Sequence, residues 1–307
     1  AFSADPAGSL DKLAAIGLRH VEAFDFVRRP AEIRSALDAS GLTSPTGHAP
    51  LLSDTLWTPG ASIPTPAAET VFEAAATIGM TTVIDPFVEP SRWLTEDGVA
   101  DIADRLNAAA EVAAGFGLRV GYHNHAQEFL ADFDGQSAFE RFVSLTDERV
   151  EIELDLFWAL TGGQDVPALV ERLGSRLVAV HVKDGIVPTS NPFAPGADLE
   201  ATKQLDQRHP GQGEVPLVDA MNAAAAVQWA VIEYDRAPGD VFDDVRASCV
   251  YQMYLSGAEM WVVPDEWAYT LEVLEKRPEG EKEDPADKLK VRLLSPSLSP
   301  SLPLVLS

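Results

Sequence analysis

Three polar residues of the chain could bind one metal ion, because each stands at the end of a predicted strand. Asp155, His181 and Glu233 each close a short apolar run of the kind that forms a buried strand. A hard divalent cation such as Mn²⁺ or Mg²⁺ prefers carboxylate and imidazole ligands in an open site. The sequence therefore predicts a divalent metal site that these residues form together.

The segment HNHAQEF, residues 123–129, offers a fourth ligand for this site. Either His123 at the end of a strand or Glu128 in the following loop could supply it, and the spacing leaves both open. We favour Glu128, because another oxygen ligand suits manganese. Each ligand has a structural explanation by itself, such as a cap formed by Asp155, but four such residues on adjacent strands favour a common ion.

Two basic residues near these ligands could move a proton or hold charge. His125 lies two residues after His123, so both share one face of a strand. An ordinary imidazole pKa of about 6.5 suits proton transfer at neutral pH, and we predict His125 as the catalytic base, with His123 as a further catalytic candidate. Lys183, two residues after His181, is predicted to donate to an oxyanion or to hold the substrate.

Four more residues are candidates for binding a substrate. Glu22 and His48 end earlier predicted strands and could bind hydroxyl groups from the other side of the same mouth. Trp158 could stack on a ring of the bound substrate. Arg236 completes this set, and its structural alternative is an ion pair with Glu233.

The elements that would position these residues alternate between strand and helix. Short apolar runs and amphipathic stretches follow one another over roughly 250 residues, which is typical of a doubly wound sheet or a closed barrel. No Gly-rich nucleotide loop follows a predicted strand, and polar residues lie at strand ends along the whole chain. We therefore predict an α/β fold, the (β/α)8 TIM barrel.

One barrel strand is expected to be missing. The sequence supplies seven predicted strands and eight predicted helices, and it opens with a helix where a barrel opens with a strand. We favour a truncated chain as the explanation. The alternative is that a tail strand near 260–263 fills the gap.

The C-terminal part of the chain differs from the rest. Residues 276–290 are dense in charge and residues 295–303 repeat Ser, Pro and Leu, so neither segment offers an apolar face to bury. We predict a barrel domain over residues 1–255. Residues 256–307 are predicted to form an irregular, atypical tail, partly disordered or docked on the surface.

The charge balance narrows the function classes. The 307 residues include 23 basic and 48 acidic side chains, a formal net charge of −25. This field repels a phosphate backbone, so we expect no binding to nucleic acid or to an anionic membrane surface. The chain has no apolar run long enough to span a membrane, and a single Cys249 excludes an internal disulfide and a thiolate metal cluster. A soluble cytoplasmic protein is expected.

Several segments carry a resemblance to a known family. They are YHNHAQEF (122–129), 153–185, GQGEVPL (211–217) and VIEYDR (231–236). In their order and spacing, over about residues 5–255, the chain resembles the sugar phosphate isomerase/epimerase family, whose fold is the xylose isomerase-like TIM barrel. The resemblance implies a divalent metal, most often Mn²⁺ with Mg²⁺, Co²⁺ and Zn²⁺ as alternatives, held by an acidic residue together with Asp155, His181 and Glu233.

The resemblance also implies a reaction. Such an enzyme isomerises or epimerises a keto-sugar or polyol by removing a proton next to a carbonyl, while the metal stabilises the enediolate. The chain departs from the better-known epimerases at 123–125, where it has His-Asn-His instead of a glutamate followed by Asn-Arg. The extra histidines favour an alternative, a lyase or dehydratase that expels a group β to the carbonyl of a 3-keto sugar, glycoside or inosose.

Two further classes of protein are built on the same barrel. A non-catalytic barrel that binds a sugar or a partner subunit is the second alternative, because a barrel without one strand exposes two edges. A metal-dependent phosphodiesterase acting on DNA is disfavoured by the net charge of −25. The expected partner is a small sugar or polyol without a phosphate group, and a homo-oligomer or a partner subunit is an open alternative.

Overall fold

Helices alternate with strands through residues 5–58, 61–197, 202, 204–255 and 304–306, which are the residues that the computed structural model describes. The helices are α1 Pro6–Ile16, α2 Pro30–Ser40, α3 Ala68–Ile78, α4 Glu96–Ala114, α5 Ala138–Leu145, α6 Leu156–Thr161, α7 Val166–Leu173, α8 Leu217–Ala223 and α9 Val241–Leu255. Capping explains their ends, as in α1, where the Asp5 side chain accepts from the N–H of Gly8 and Gly17 adopts φ 110°.

A parallel sheet lies inside the layer of helices. Its strands are β1 His20–Val21, β2 Ala23–Phe24, β3 Thr46–His48, β6 Thr82–Asp85, β7 Arg119–His123, β10 Glu151–Asp155, β11 Leu177–His181, β14 Trp229–Ile232 and β15 Leu304–Leu306. Short antiparallel hairpins in the loops are β4 Thr55–Thr58 with β5 Ala61–Pro64, β8 Asp132–Phe133 with β9 Gln136–Ser137, and β12 Asp184–Ile186 with β13 Asp206–Arg208. The core lies between this sheet and the helices, where for example Val120 and Leu106 are fully buried.

The parallel sheet returns to the place where it starts. Its strand order is β1-β15-β14-β11-β10-β7-β6-β3-β2. The strands at the two ends of this order, β1 and β2, are separated along the chain by Glu22 alone. When β1 and β2 are counted as one strand position, the nine strands form a ring of eight positions. The predicted TIM barrel is thus confirmed.

A segment from the tail lies where the sequence predicts a missing strand. Leu304 pairs with Ala230 of β14, and Val305 pairs with His20 of β1, both in parallel register. The alternative tail strand near 260–263 lies outside the described residues. The division into a barrel of 1–255 and a tail of 256–307 stays a prediction.

One apolar run of the sequence is divided between a strand and a helix. The apolar run 150–158 forms a strand only as far as Asp155, and α6 begins at the next residue. The cause is a helix cap, since Asp155 Oδ1 accepts the N–H of Trp158 at 2.8 Å.

Among the described residues, no helix combines the length and the apolar character that crossing a membrane requires.

Candidate metal centre

The predicted ligands meet because parallel strands bring their carboxyl ends to one side of the barrel. His123, Asp155 and His181 are the last residues of β7, β10 and β11, and Glu233 follows β14 directly. These four strands are neighbours in the sheet, and Asp155 stands opposite His181 in register. Their side chains therefore reach the same mouth.

Four side chains at this mouth form what we call the outer group: His123, Asp155, His181 and Glu233. Each offers a ligand atom, and these atoms all lie within 4.8 Å of one another. His181 Nδ1 is 2.9 Å from Glu233 Oε2 and 4.0 Å from Asp155 Oδ2. Asp155 and His181 are fully buried, whereas the Glu233 side chain is 23% exposed, so the group is open on the side of Glu233.

Asp155 serves as a helix cap and as a group member at the same time. Its Oδ1 accepts the N–H of Trp158, while its Oδ2 is buried and faces the Lys183 ammonium at 2.9 Å. The two oxygens thus have separate roles, and the cap fixes the direction of the other oxygen. A structural role for Asp155 and a role in binding a cation are compatible.

A second cluster, the inner group, lies deeper in the barrel and consists of His48, His123, Glu153 and His181. Glu153 Oε2 lies 2.8 Å from His48 Nε2, 3.2 Å from His181 Nε2 and 3.4 Å from His123 Nδ1. Glu22, at the break between β1 and β2, adds its Oε1 at 3.1 Å from His48 Nε2. Of the two residues predicted to bind substrate hydroxyls, His48 therefore lies against Glu153, and Glu22 lies against His48.

Glu153 is a site residue that sequence reasoning missed. The alternation Glu151-Ile152-Glu153-Leu154-Asp155 places three acidic residues on one face of β10 and offered the signal. The position of Asp155 at the strand end makes it the only predicted ligand of the three. A buried glutamate in mid-strand needs partners as much as one at the tip does.

Charge compensation sets the protonation of the inner group. Burial lowers the pKa of His48, but the carboxylates of Glu22 and Glu153 outweigh burial and raise this pKa to about 10. Burial raises the pKa of Glu153, yet the imidazoles of His181, His123 and His48 hold it well below its usual range. The inner group therefore consists of carboxylates paired with imidazoles.

Lys183 stands beside the outer group with its ammonium among carboxylates. Its Nζ lies 2.7 Å from Glu233 Oε2, 2.9 Å from Asp155 Oδ2 and 2.9 Å from Asp235 Oδ2. Burial lowers the pKa of Lys183, but these carboxylates outweigh burial and hold it well above the usual value. Lys183 is thus a permanent positive charge at the mouth.

His125 differs from the other histidines of the site in its aromatic surroundings. Its ring lies 5.6 Å from each of the rings of Phe87, Trp158 and Phe193. Burial, followed by the charges of His123 and Lys183, holds the pKa of His125 well below its usual value, and its Nδ1 has no hydrogen-bond partner. His125 is therefore a neutral imidazole that can accept a proton.

Glu128, favoured from the sequence as the fourth ligand, belongs to neither group. Its Oε1 accepts the Tyr122 hydroxyl at 2.6 Å and its Oε2 accepts the backbone N–H of His125 at 2.9 Å. Burial raises the pKa of Glu128 to about 8. The structure brings His123, and not Glu128, to the outer group, because the turn after β7 directs the Glu128 carboxylate back to its own loop.

The other two predicted substrate-binding residues are placed differently from each other. Trp158 is buried, and its ring lies 5.7 Å from Lys183 Nζ. Arg236 is exposed, and its backbone N–H donates to Gln207 Oε1 at 2.9 Å. Trp158 thus lies within the site, whereas Arg236 lies on the surface beyond Glu233.

Relatives among curated proteins cover only part of the chain. An inosose dehydratase of Geobacillus thermodenitrificans is 24% identical over 159 residues, which cover 50% of this chain and 52% of the relative. An inosose dehydratase of Geobacillus kaustophilus is 32% identical over 92 residues, or 30% of this chain and 29% of the relative. The chain thus spans about half the length of the first relative and less than a third of the second.

Solved structures share the fold at low identity. A sugar phosphate isomerase/epimerase from Parabacteroides distasonis superposes with a TM-score of 0.59 at 20% identity, covering 81% of this chain and 88% of the other. D-psicose 3-epimerase gives 0.55 at 15% identity, with 81% and 93% covered. The IOLI protein with a bound zinc atom gives 0.58 at 14% identity, with 81% and 91% covered.

A match to a family model identifies the family of this chain. The profile described as the xylose isomerase-like TIM barrel matches residues 10–249, which include every strand of the barrel except β15. The match covers more than half of the chain and agrees with the ring of eight strand positions. This chain belongs to the family of xylose isomerase-like TIM barrels.

Proposed function

We propose that the chain is part of a divalent-metal-dependent isomerase or epimerase that removes a proton next to the carbonyl of a keto-sugar or polyol. The observation that carries this proposal is the position of a neutral imidazole, His125, beside the outer group. The His125 ring lies 5.2 Å from the ring of His123, and its Nδ1 has no hydrogen-bond partner. An ion-binding group and a free base stand side by side, as proton abstraction requires.

The outer group fits a divalent cation. Its two carboxylates and two imidazoles offer ligand atoms within 4.8 Å of one another, and Glu233 keeps one side of the group accessible. We therefore take His123, Asp155, His181 and Glu233 as the ligands, in place of the set with Glu128. When bound, the cation supplies Lewis-acid stabilisation of the oxygen that becomes negative as the proton leaves.

The remaining residues handle the proton and position the groups. His125 Nδ1 accepts the proton from the carbon and returns it to the neighbouring carbon or to the opposite face. Lys183 Nζ, held by its three carboxylates, donates a hydrogen bond to a substrate oxygen. Trp158 packs against both residues, with its ring 5.6 Å from that of His125, and keeps them in place.

A dehydratase is the second candidate, because both curated relatives are inosose dehydratases. In this reaction His125 takes the proton next to the carbonyl, and the electron pair of that C–H bond forms the new double bond. The hydroxyl group on the next carbon leaves with its bonding electrons and takes the proton that His125 has removed, so that water is released and His125 is neutral again. The same side chains serve both reactions up to the enediolate.

Exchange with solvent deuterium tests the step that both reactions share. The protein is incubated with Mn²⁺ in D₂O with keto-hexoses and with inosose, and the substrates are analysed by NMR and mass spectrometry. We expect deuterium next to the carbonyl, with an isomer as product if the first candidate is right and loss of one water if the second is right. Bound Mn²⁺ and bound sugar without any exchange would contradict both and indicate a non-catalytic barrel.

A further inference from the structure

The inner group has the donor set of a cation site that differs from the outer group. We propose that it binds a second divalent cation, a Zn²⁺-type ion, through His48 Nε2, His123 Nδ1, Glu153 Oε2 and His181 Nε2. This inner site goes beyond the proposed reaction, because the step at the mouth does not use His48 or Glu153. Its function is structural, and it joins strands on opposite sides of the barrel interior.

The spacing of the donor atoms matches the edges of a small tetrahedron. A zinc ion binds nitrogen and oxygen at about 2.0–2.2 Å, which puts neighbouring ligand atoms about 3.4 Å apart. Glu153 Oε2 lies 2.8, 3.2 and 3.4 Å from the nitrogens of His48, His181 and His123. These atoms already stand at nearly the separations that one ion would impose.

Buried polar atoms without hydrogen-bond partners support a cation in the inner group. Glu153 Oε1, Glu22 Oε2 and His123 Nδ1 are buried and have no hydrogen-bond partner. Buried polar atoms are almost always satisfied, and each unsatisfied one costs about 1–3 kcal/mol. A bound cation would satisfy His123 directly and would hold Glu153 and Glu22 by charge.

The two groups differ in the ion that they should prefer. The inner group offers three imidazoles and one carboxylate, a set that suits zinc, whereas the outer group offers two of each and includes the partly exposed Glu233. His181 can serve both, because its Nε2 faces Glu153 at 3.2 Å and its Nδ1 faces Glu233 at 2.9 Å. A deprotonated His181 ring would then bridge the two cations.

Anomalous diffraction locates the ions without any substitution. Crystals of the full chain are soaked in Zn²⁺ alone and, separately, in Mn²⁺ alone, and anomalous difference maps are measured at each absorption edge. We expect a zinc peak between His48 Nε2 and Glu153 Oε2, with manganese beside Asp155 and Glu233. Zinc density beside Asp155 and Glu233 alone would overturn the inner site.

Titration of variants gives an independent measurement in solution. We expect His48→Ala to weaken Zn²⁺ binding, followed with a competing chromophoric chelator, by at least about tenfold, the scale of losing even an indirect metal contact. Mn²⁺ binding, followed by EPR, should change less than about threefold, because His48 is not in the outer group. His20→Ala is the matched control, since His20 faces Thr43 and Trp229 instead.

Two outcomes separate this inference from the proposed reaction. The variant Glu153→Gln, which keeps the size of the side chain, is measured together with His48→Ala. If both variants are folded by circular dichroism and bind Zn²⁺ as tightly as the unaltered protein, the inner site is wrong, whatever the exchange assay gives. If zinc occupies the inner site but no substrate exchanges deuterium, the reaction is wrong and the inner site stands. Should both variants fail to fold, the zinc map of the unaltered protein decides.

Discussion

The ammonium of Lys183 lies 2.9 Å from Oδ2 of Asp155, and both side chains are completely buried. The same carboxylate oxygen belongs to the outer group that we propose as the cation site. A fixed positive charge of the protein and a bound cation thus share one carboxylate. The charge of Lys183 must stabilise the group when no cation is bound, and it must oppose a cation when one binds.

Replacement of Lys183 by methionine separates these two effects. We expect K183M to lower the free energy of unfolding by about 3 kcal/mol in the presence of a chelator, because buried carboxylates lose their partner. Mn²⁺ should bind the variant at least about tenfold more tightly, since a like charge next to the site is removed. Urea unfolding with EDTA or with Mn²⁺ measures both changes.

Lys12 supplies the control for this comparison. It is exposed and lies 4.5 Å from the ring of Phe242, remote from the carboxylates at the mouth. K12M should leave Mn²⁺ affinity unchanged. Equal Mn²⁺ affinity in K183M and the unaltered protein would show that Lys183 does not compete with the cation.

Replacement of His125 tests the base. His125→Asn should slow deuterium exchange by at least about a hundredfold, the usual contribution of a positioned base. Binding of Mn²⁺ should persist, because His125 belongs to neither metal group. Exchange is followed by NMR, with His20→Asn as the control for the loss of an imidazole; exchange at the unaltered rate in His125→Asn would assign the proton to another residue.

The fourth ligand of the outer group can be identified by a pair of variants. His123→Ala should weaken Mn²⁺ binding by at least about thirtyfold, because one of four ligands is lost. Glu128→Gln should keep Mn²⁺ affinity within about threefold, since its carboxylate is engaged by Tyr122 and the His125 N–H. EPR titration of both proteins decides, and the reverse order would restore Glu128 as the ligand.

Asp85 makes the stability of the protein depend on pH. Burial raises its pKa to about 6 from an unfolded value of 3.8, despite the N–H groups of Leu51, Leu52 and Phe87 that its carboxylate accepts. A raised carboxyl pKa means that the folded state holds the proton longer, so this contribution to stability is lost as the pH rises from about 4 to about 6. The total is about 3 kcal/mol.

Chemical unfolding across this pH range checks the sign. The stability of the unaltered protein minus that of Asp85→Asn should fall between about pH 4 and pH 6 and then level off. Asp54 gives the opposite case, because its hydrogen bond and ion pair with Arg105 lower its pKa. The contribution of Asp54 to the free energy of unfolding should therefore be lost as the pH falls. If the stability difference between the unaltered protein and Asp85→Asn rises between about pH 4 and pH 6, the raised pKa of Asp85 is contradicted.

Local patterns in the sequence were sufficient for the elements and for the strand ends. The Asp5-Pro6 start and the Gly17 end of α1 are visible as letters, because caps depend on a few neighbouring residues. Likewise Asp155, His181 and Glu233 could be predicted to share a mouth, since parallel strands direct their carboxyl ends one way. These statements need only chain order and spacing.

The loop after β7 shows where spacing stopped being informative. His123 and Glu128 are five residues apart, and both types can bind a cation. The choice depends on the direction of a turn, and that direction is set by the Tyr122 hydroxyl and the His125 N–H, which both donate to Glu128. Neither contact leaves a trace in the residue order.

Contacts across the barrel were decided by the tertiary structure alone. The alternation of β10 shows that Glu153 and Asp155 share a face, but His48 meets Glu153 from a strand 105 residues earlier, at a distance set by the barrel diameter. In the same way, only closure of the sheet brings Leu304–Leu306 between β14 and β1. Sequence periodicity predicts on which side of a strand a residue lies. Which residues it meets across the barrel depends on how the whole sheet curves.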